Sequence, residues 1–143
     1  LYSDKKWLIA NIGDSRAYLC SSKKITQLTV DHSLVQEMYE DNSITKDEMR
    51  TNPYRNIITR AIGSDEDIET DIFYTSLKNN EMILLCSDGL IEHLNDDEIL
   101  EILNQKTEFN AKPKVLVDKA NELGGRDNTT VVILRNASIR SLK

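Results

Sequence analysis

The 143 residues are enough for one domain, or for part of one, that buries about two thirds of the surface of its unfolded chain. The formal net charge of −6, from 18 basic and 24 acidic side chains, argues against a protein that binds nucleic-acid phosphates, and no run of Lys or Arg contradicts this. A composition of 39% hydrophobic and 29% charged residues is that of a folded protein and not of a disordered one.

The cellular setting is predicted from apolar runs and cysteines. The sequence shows no signal peptide and no stretch of eighteen apolar residues, so we expect no contact with a membrane and a cytoplasmic location. Cys20 and Cys86 lie in apolar segments without CxxC spacing, which favours buried thiols over a disulfide or a zinc site. The chain opens with Leu1-Tyr2-Ser3 and no Met, directly before a strand, which is typical of the middle of a domain.

The first half of the chain predicts three strands and two short helices. The strands are 7–12, 17–20 and 25–29, and the helices are 33–40 and a segment from 46 onward. The first two strands flank Gly13-Asp14-Ser15-Arg16, which predicts a hairpin. Ser33 would cap the first helix, and Asn42 would end it in the left-handed conformation. Thr45-Lys46-Asp47-Glu48 is a capping box for the second helix.

The second half of the chain predicts three strands and two helices around an apolar segment. The strands are 68–75, 82–86 and 129–134, and the helices begin at 95 or 96 and span 113–123. Met82–Cys86 is too short for a membrane span and suits a strand that is buried on both faces. Pro113 lies in the first turn of the last helix and Gly124 ends it. Strands at both ends with helices between them predict an α+β fold.

Three aspartates, Asp14, Asp88 and Asp127, each lie in a Gly-containing turn at the end of an apolar strand. If those strands are neighbours, the carboxylates would converge and repel each other by more than about 1 kcal/mol per pair. Hard oxygen ligands without His or Cys favour Mg²⁺ or Mn²⁺ over zinc. In the alternative interpretation turns contain Asp because turns favour it, and Ser87 or Asp88 caps a short helix over 90–94.

Five motifs occur in a fixed order along the chain: Asn11–Tyr18 (NIGDSRAY), Thr29–Leu34 (TVDHSL), Ile57–Gly63 (IITRAIG), Leu85–Leu90 (LCSDGL) and Gly125–Val131 (GRDNTTV). This ordered set resembles the metal-dependent protein serine/threonine phosphatases of the 2C type, and most of all their bacterial branch. The match corresponds to the C-terminal part of that family's catalytic domain. Residues 1–135 would form this part, with a flap at about 36–60, and 136–143 a polar tail.

The resemblance implies a fold, a cofactor and an activity. The fold would be an antiparallel β-sandwich flanked by helices, here lacking its N-terminal portion. In the complete domain two or three Mn²⁺ or Mg²⁺ ions would lie at one edge of the sandwich. Asp88 would bridge metal positions, Asp127 would bind one paired ion, and Asp14 would hold a third ion with Asp88. The implied reaction is hydrolysis of phosphoserine and phosphothreonine in proteins by a metal-bridging water, with Asp88 and Asp127 as catalytic residues.

The flap departs from the family's bacterial pattern. Asn52 stands where a His commonly precedes the Pro, which removes a titratable group, and Asn42 stands where a Gly is common. Arg55 would meet a phosphate or an acidic side chain of the substrate, or else it is a solvated loop residue. His32 and His93 have no motif support as catalytic groups and are predicted to be surface or structural histidines.

Part of the family's machinery precedes the first motif and is absent from this sequence: a phosphate-binding Arg, an Asp-Gly metal motif and a general-acid His. We therefore expect the chain to be an incomplete fragment that is inactive alone. The expected partners are phosphoproteins, including a eukaryotic-type serine/threonine kinase, and a second copy bound through an exposed sheet edge. The alternatives are a non-catalytic regulatory or protein-binding module and a purely structural α+β domain. The retention of all three aspartates disfavours the non-catalytic module.

Overall fold

The computed structural model describes residues 1–3, 6–64 and 67–136. Within these ranges the secondary-structure elements are β1 (Tyr2–Ser3), β2 (Lys6–Asn11), β3 (Arg16–Cys20), β4 (Ile25–Gln27), α1 (Leu34–Glu40), α2 (Lys46–Met49), β5 (Asp71–Thr75), β6 (Met82–Cys86), α3 (Asp88–Ile91), α4 (Asp96–Asn104), a 3₁₀ turn (Phe109–Ala111), α5 (Lys112–Glu122) and β7 (Val131–Arg135). Among the described helices, none has the length and apolar character that a membrane crossing requires. Of the predicted polar tail, only Asn136 lies within the described residues.

The strands form two antiparallel sheets, in the orders β1-β2-β5 and β4-β3-β6-β7. Trp7 and Ile9 of the first sheet and Leu85 and Val132 of the second line a shared cavity of about 560 Å³. The opposite face of the four-stranded sheet packs against α3, α4 and α5. The predicted α+β class is therefore confirmed.

The core lies between this four-stranded sheet and the helices. Its fully buried side chains include Tyr18, Leu84, Leu90, Ile99 and Leu116. Strand β6 has the predicted bounds and lies between β3 and β7, as expected for a strand buried on both faces.

Cys20 and Cys86 are buried free thiols, as predicted. Burial raises the pKa of each to about 12, which keeps the thiols protonated and unreactive.

The predicted hairpin at the start of the chain is wrong. Strand β2 pairs with β1 and β5, whereas β3 pairs with β4 and β6, so the chain crosses from one sheet to the other between them. Gly13 lies in this crossing with φ of +100°, a conformation that favours glycine. A hairpin and a sheet crossing leave the same local pattern, because both need two apolar strands around a flexible turn. The crossing places Asp14 at the boundary between the sheets.

Local signals set several helix ends. The capping box of Thr45 and Glu48 is formed in full, and Asn95 forms a second one with Glu98 at the start of α4. Asn42 has φ of +64°, the left-handed conformation predicted for the end of α1. Three predicted strands are shorter or shifted: 25–29 is Ile25–Gln27, 68–75 is Asp71–Thr75, and 129–134 is Val131–Arg135.

Candidate functional site

Asp14, Asp88 and Asp127 line one cavity of about 330 Å³. The sheet register explains this convergence, because Cys86 at the end of β6 pairs with Arg16 on one side and with Val131 on the other. The loop before β3, the start of α3 and the loop before β7 therefore meet at one end of the sheet. The structure thus brings together the three aspartates that the sequence singled out.

Ser87 ties the start of α3 to the loop before β7. Its backbone N–H donates to the carbonyl of Thr130 at 3.1 Å, and its Oγ donates to the carbonyl of Asn128 at 3.1 Å and accepts the N–H of Thr130 at 3.0 Å. Ser87 occupies the N-cap position of α3 but makes no side-chain capping bond, so the alternative interpretation of Ser87 as a helix cap is wrong. Ser33 likewise occupies the N-cap position of α1 without a capping bond.

Gly89 allows the same two segments to approach closely. A Cβ atom at this position would lie 2.6 Å from the carbonyl oxygen of Asn128 and 3.0 Å from Oγ1 of Thr129. Only a residue without a side chain fits at the first distance, because the contacting atom belongs to the backbone. Ser87 and Gly89 are the neighbours of Asp88 in the chain. Their contacts with the loop before β7 therefore hold Asp88 close to Asp127.

The carboxylates in the cavity lie close enough for the charge of one to change the pKa of another. Burial, and next the charge of Asp88, raise the pKa of Asp14 above its ordinary value. One oxygen of Asp88 accepts the N–H of Gly89 at 2.8 Å, and one oxygen of Asp127 accepts that of Asn128 at 2.6 Å. These short contacts within each turn orient the carboxylates. A divalent cation would relieve the repulsion between them.

The donor chemistry of the three aspartates fits Mg²⁺ or Mn²⁺, which prefer carboxylate oxygens. Among the described residues, however, no group of three His, Cys, Asp or Glu side chains is arranged so that it could hold a metal ion by itself. The role of Asp14, Asp88 and Asp127 as ligands therefore remains a prediction. The residues present supply the right kind of donor, but they do not close a site.

An ion pair that the sequence analysis missed forms part of the cavity wall. Asp31 is buried, and its two carboxylate oxygens accept Nε of Arg16 at 2.9 Å each, while Nη2 of Arg16 donates to Oδ2 at 2.6 Å. Both residues lie within the quoted motifs, but nothing local shows that they pair across 15 positions. Because Arg16 already neutralises Asp31, this carboxylate is not added to the candidate ligands.

The predicted flap reaches the same cavity. Arg55 is one of the lining residues, and its Nη2 lies 3.8 Å from Oε1 of Glu92, which follows α3. The end of the predicted flap lies beside the start of α1, where the backbone N–H of Leu34 donates to the carbonyl of Ile57 at 2.9 Å. Asn52 accepts the N–H of Tyr54 at 2.9 Å through its side chain, which is an ordinary turn contact. Arg55 is thus placed where a ligand in the cavity could reach it.

Comparisons with known proteins agree on one family. The sequence profile described as "Protein phosphatase 2C" matches residues 1–129. The serine/threonine phosphatase stp of Listeria monocytogenes is 41% identical over 127 residues, which cover 89% of this chain and 50% of that protein. The chain thus spans about half the length of the curated relatives it matches.

Solved structures are similar in fold over the same range. The serine/threonine phosphatase Stp1 from Staphylococcus aureus superposes with a TM-score of 0.86 at 38% identity, over 92% of this chain and 52% of that one. The catalytic domain of the serine/threonine protein phosphatase PstP, solved in complex with two manganese ions, gives a TM-score of 0.81 at 32% identity, over 93% of this chain and 54% of that one. Both matches confirm the sandwich of antiparallel sheets flanked by helices.

Proposed function

Because the chain belongs to the protein phosphatase 2C family, we propose that it is part of a metal-dependent enzyme that hydrolyses phosphoserine and phosphothreonine in proteins. The observation that carries this proposal is the convergence of Asp14, Asp88 and Asp127 on one cavity from two loops and the start of α3. Convergence without a ligand would be unfavourable, since the repulsion between the carboxylates would have no compensation.

We propose that Mn²⁺ or Mg²⁺ ions bind here, with Asp88 bridging two positions, Asp127 on one paired ion and Asp14 sharing a third ion with Asp88. The PstP structure with two manganese ions supports a metal site in this fold. When bound, such ions would supply positive charge for the phosphoryl oxygens and would activate a water molecule for hydrolysis. The protein's contribution is to hold the carboxylates, and Ser87 and Gly89 do so by fixing the start of α3 against the loop before β7.

We propose that Arg55 contacts the phosphate or an acidic side chain of the substrate. Its ion pair with Glu92 is long, at 3.8 Å, and both side chains are partly exposed. Such a pair contributes about 0 to 1 kcal/mol, whereas a charge-assisted bond from a guanidinium to phosphate is short and often bidentate. A phosphorylated segment in the cavity would therefore compete successfully with Glu92 for Arg55.

Replacing Arg55 with Ala in the full-length protein is expected to raise KM for a phosphothreonine peptide about 10-fold, since a hydrogen bond to a charged group contributes roughly 1.5 kcal/mol or more. The change in kcat should be smaller, because the contact forms in the ground state as well as in the transition state. Steady-state kinetics measure both values. Lys119→Ala removes the same charge from the exposed surface of α5 and should leave KM unchanged. A fall in kcat at constant KM would contradict the proposed role.

We infer that the residues that complete the site lie outside these 143 residues, so that the chain alone is inactive. Its coverage of about half of each relative supports this, as does the lack of a closed metal group among the described residues. The test is hydrolysis of a phosphothreonine peptide by the chain alone and by the full-length protein, with Mn²⁺ and with a chelator. We expect turnover only for the full-length protein with Mn²⁺. Turnover by the chain alone would refute the incompleteness, and turnover in chelator would refute the metal dependence.

We propose phosphoproteins as substrates, among them a eukaryotic-type serine/threonine kinase, and a second copy of the chain as a partner through a sheet edge. Support for the second partner comes from β5, which is an edge strand within the described part of the chain and on which Ile72 and Tyr74 are exposed. Sedimentation velocity at increasing concentration tests the self-association, and a constant monomeric value would refute it.

A further inference from the structure

The two histidines of the chain make the same kind of contact in two different loops. Nδ1 of His32 accepts the backbone N–H of Gly13 at 3.0 Å, and Nε2 of His93 accepts the backbone N–H of Arg126 at 3.3 Å. Each donor directly precedes a proposed metal ligand: Asp14 follows Gly13, and Asp127 follows Arg126. Neither histidine is among the described residues that line the cavity of the aspartates.

His32 is buried and makes two hydrogen bonds with Gly13. Besides the ring contact, the backbone N–H of His32 donates to the carbonyl of Gly13 at 3.1 Å. Because Nδ1 accepts the N–H of Gly13, we assign the ring proton to Nε2. This nitrogen lies 3.2 Å from Oδ2 of Asp71 and 3.2 Å from Nη1 of Arg60. Arg60 donates to the other oxygen of Asp71 at 3.1 Å. The ring of His32 is therefore oriented by the carboxylate of Asp71 on β5, a strand of the three-stranded sheet. This network joins the crossing loop to both the sheet and the end of the flap.

His93 lies under the loop that connects α5 to β7. Gly124 and Gly125 have φ of +144° and +53°, so the backbone turns sharply there. A Cβ atom on Gly124 would lie 3.2 Å from Cε1 of His93, which shows how closely the loop covers the ring. The backbone N–H of His93 donates to the carbonyl of Leu90 in α3 at 3.3 Å. The imidazole thus connects the end of α3 to the loop that carries the third aspartate.

We infer that His32 and His93 are positioning residues of the metal site, each of which fixes the backbone before a carboxylate ligand by accepting one N–H. This inference rests on the proposed function. An imidazole nitrogen suits the task because it accepts an N–H without adding a negative charge beside carboxylates that already repel each other. Mutation of a residue that orients a metal ligand without binding the metal typically weakens metal affinity 10- to 100-fold.

The two histidines use different ring nitrogens, and this gives a matched set of four variants. An Asn side chain places its amide oxygen near the position of Nδ1, whereas Gln places it near that of Nε2. His32→Asn and His93→Gln should therefore keep the acceptor, and His32→Gln and His93→Asn should lose it. Each histidine is thus compared with two uncharged amide side chains that differ in length, and therefore in the position of the amide oxygen.

The test is a calorimetric titration of the full-length protein, freed of metal, with Mn²⁺. We expect His32→Gln and His93→Asn to weaken binding about 10-fold or more, and His32→Asn and His93→Gln to stay within about 3-fold of the wild type. Thermal unfolding by circular dichroism identifies any variant that fails to fold. Equal loss of affinity in both variants of a pair would overturn the inference, since a merely structural role does not depend on where the amide oxygen lies. Unchanged affinity in all four variants would overturn it as well.

Nuclear magnetic resonance gives a second readout, which requires no variant and no metal. Long-range ¹H–¹⁵N spectra of the imidazole rings should show the proton of His32 on Nε2 and that of His93 on Nδ1. The opposite tautomer at either ring would overturn the inference for that histidine, because the nitrogen would then be a donor. If the wild type binds no Mn²⁺, the proposed metal site fails and the inference fails with it. If the wild type binds Mn²⁺ and the matched variants behave alike, only the role of the histidines is refuted.

Discussion

Replacing Asp88 with Asn is expected to weaken Mn²⁺ binding to the full-length protein by more than about 100-fold and to abolish hydrolysis of a phosphothreonine peptide. Asp88 is the proposed bridging ligand, so its loss affects two metal positions. The amide has the shape of the carboxylate but neither its charge nor a second oxygen. Because groups behind a ligand already account for 10- to 100-fold in affinity, the loss of a bridging ligand should exceed that range.

The fold should survive this substitution. Burial, and next the charge of Asp88, raise the pKa of Asp14, and the neutral Asn removes the second of these two effects. We therefore expect the metal-free variant to be no less stable than the metal-free wild type in chemical denaturation. Asp118→Asn is the matched control, since Asp118 pairs with Lys114 on the exposed face of α5 at 2.6 Å, a contact that contributes about 0.3–0.5 kcal/mol. Mn²⁺ affinity within about 3-fold of the wild type in Asp88→Asn would refute its assignment as a ligand.

Replacing Gly89 with Ala is expected to destabilise the protein by about 1–3 kcal/mol and to impair metal binding. Helix propensity alone predicts the opposite sign, because Ala within a helix is favoured over Gly by about 1 kcal/mol. The added Cβ would lie 2.6 Å from the carbonyl oxygen of Asn128, a backbone atom that can give way only if the loop before β7 moves. That movement would separate the start of α3, which carries Asp88, from the loop that carries Asp127. Chemical denaturation and Mn²⁺ calorimetry measure the two effects.

Gly63→Ala separates the steric effect from the general cost of losing a glycine. Gly63 has φ of +91°, so Ala is strained there, but no atom of the described residues lies within 4 Å of the added Cβ. We expect this variant to lose about 1–2 kcal/mol of stability and to keep its Mn²⁺ affinity. A Gly89→Ala protein that is more stable than the wild type and binds Mn²⁺ normally would show that the contact with Asn128 is not required.

Elements coded by neighbouring residues were predictable from the sequence. The capping box at Thr45, the left-handed Asn42 and the bounds of β6 all depend on residues within a few positions of each other. The three aspartates were also identifiable, because each follows or precedes an apolar strand. The motif order further indicated the family before any strand was placed.

The partners of strands were not predictable in the same way. The segments before and after Gly13 look like a hairpin, yet they pair in different sheets. A hairpin and a crossing have the same local energetics, and only the long-range pairing of β2 with β5 and of β3 with β6 distinguishes them. The same limit applied to Ser87, whose hydroxyl contacts residues 41 and 43 positions away in place of its own helix.

The sequence by itself determined the family, the α+β class and the identity of the three candidate ligands. Tertiary structure alone decided that Asp14, Asp88 and Asp127 share a cavity, that Gly89 is needed for close approach, and that His32 and His93 accept N–H groups 19 and 33 positions away. The physical reason is the range of the forces involved. Capping and periodicity act within a turn or a strand, whereas repulsion between carboxylates, backbone contact and hydrogen bonds to an imidazole depend on distance in space, which the packing of the two sheets sets.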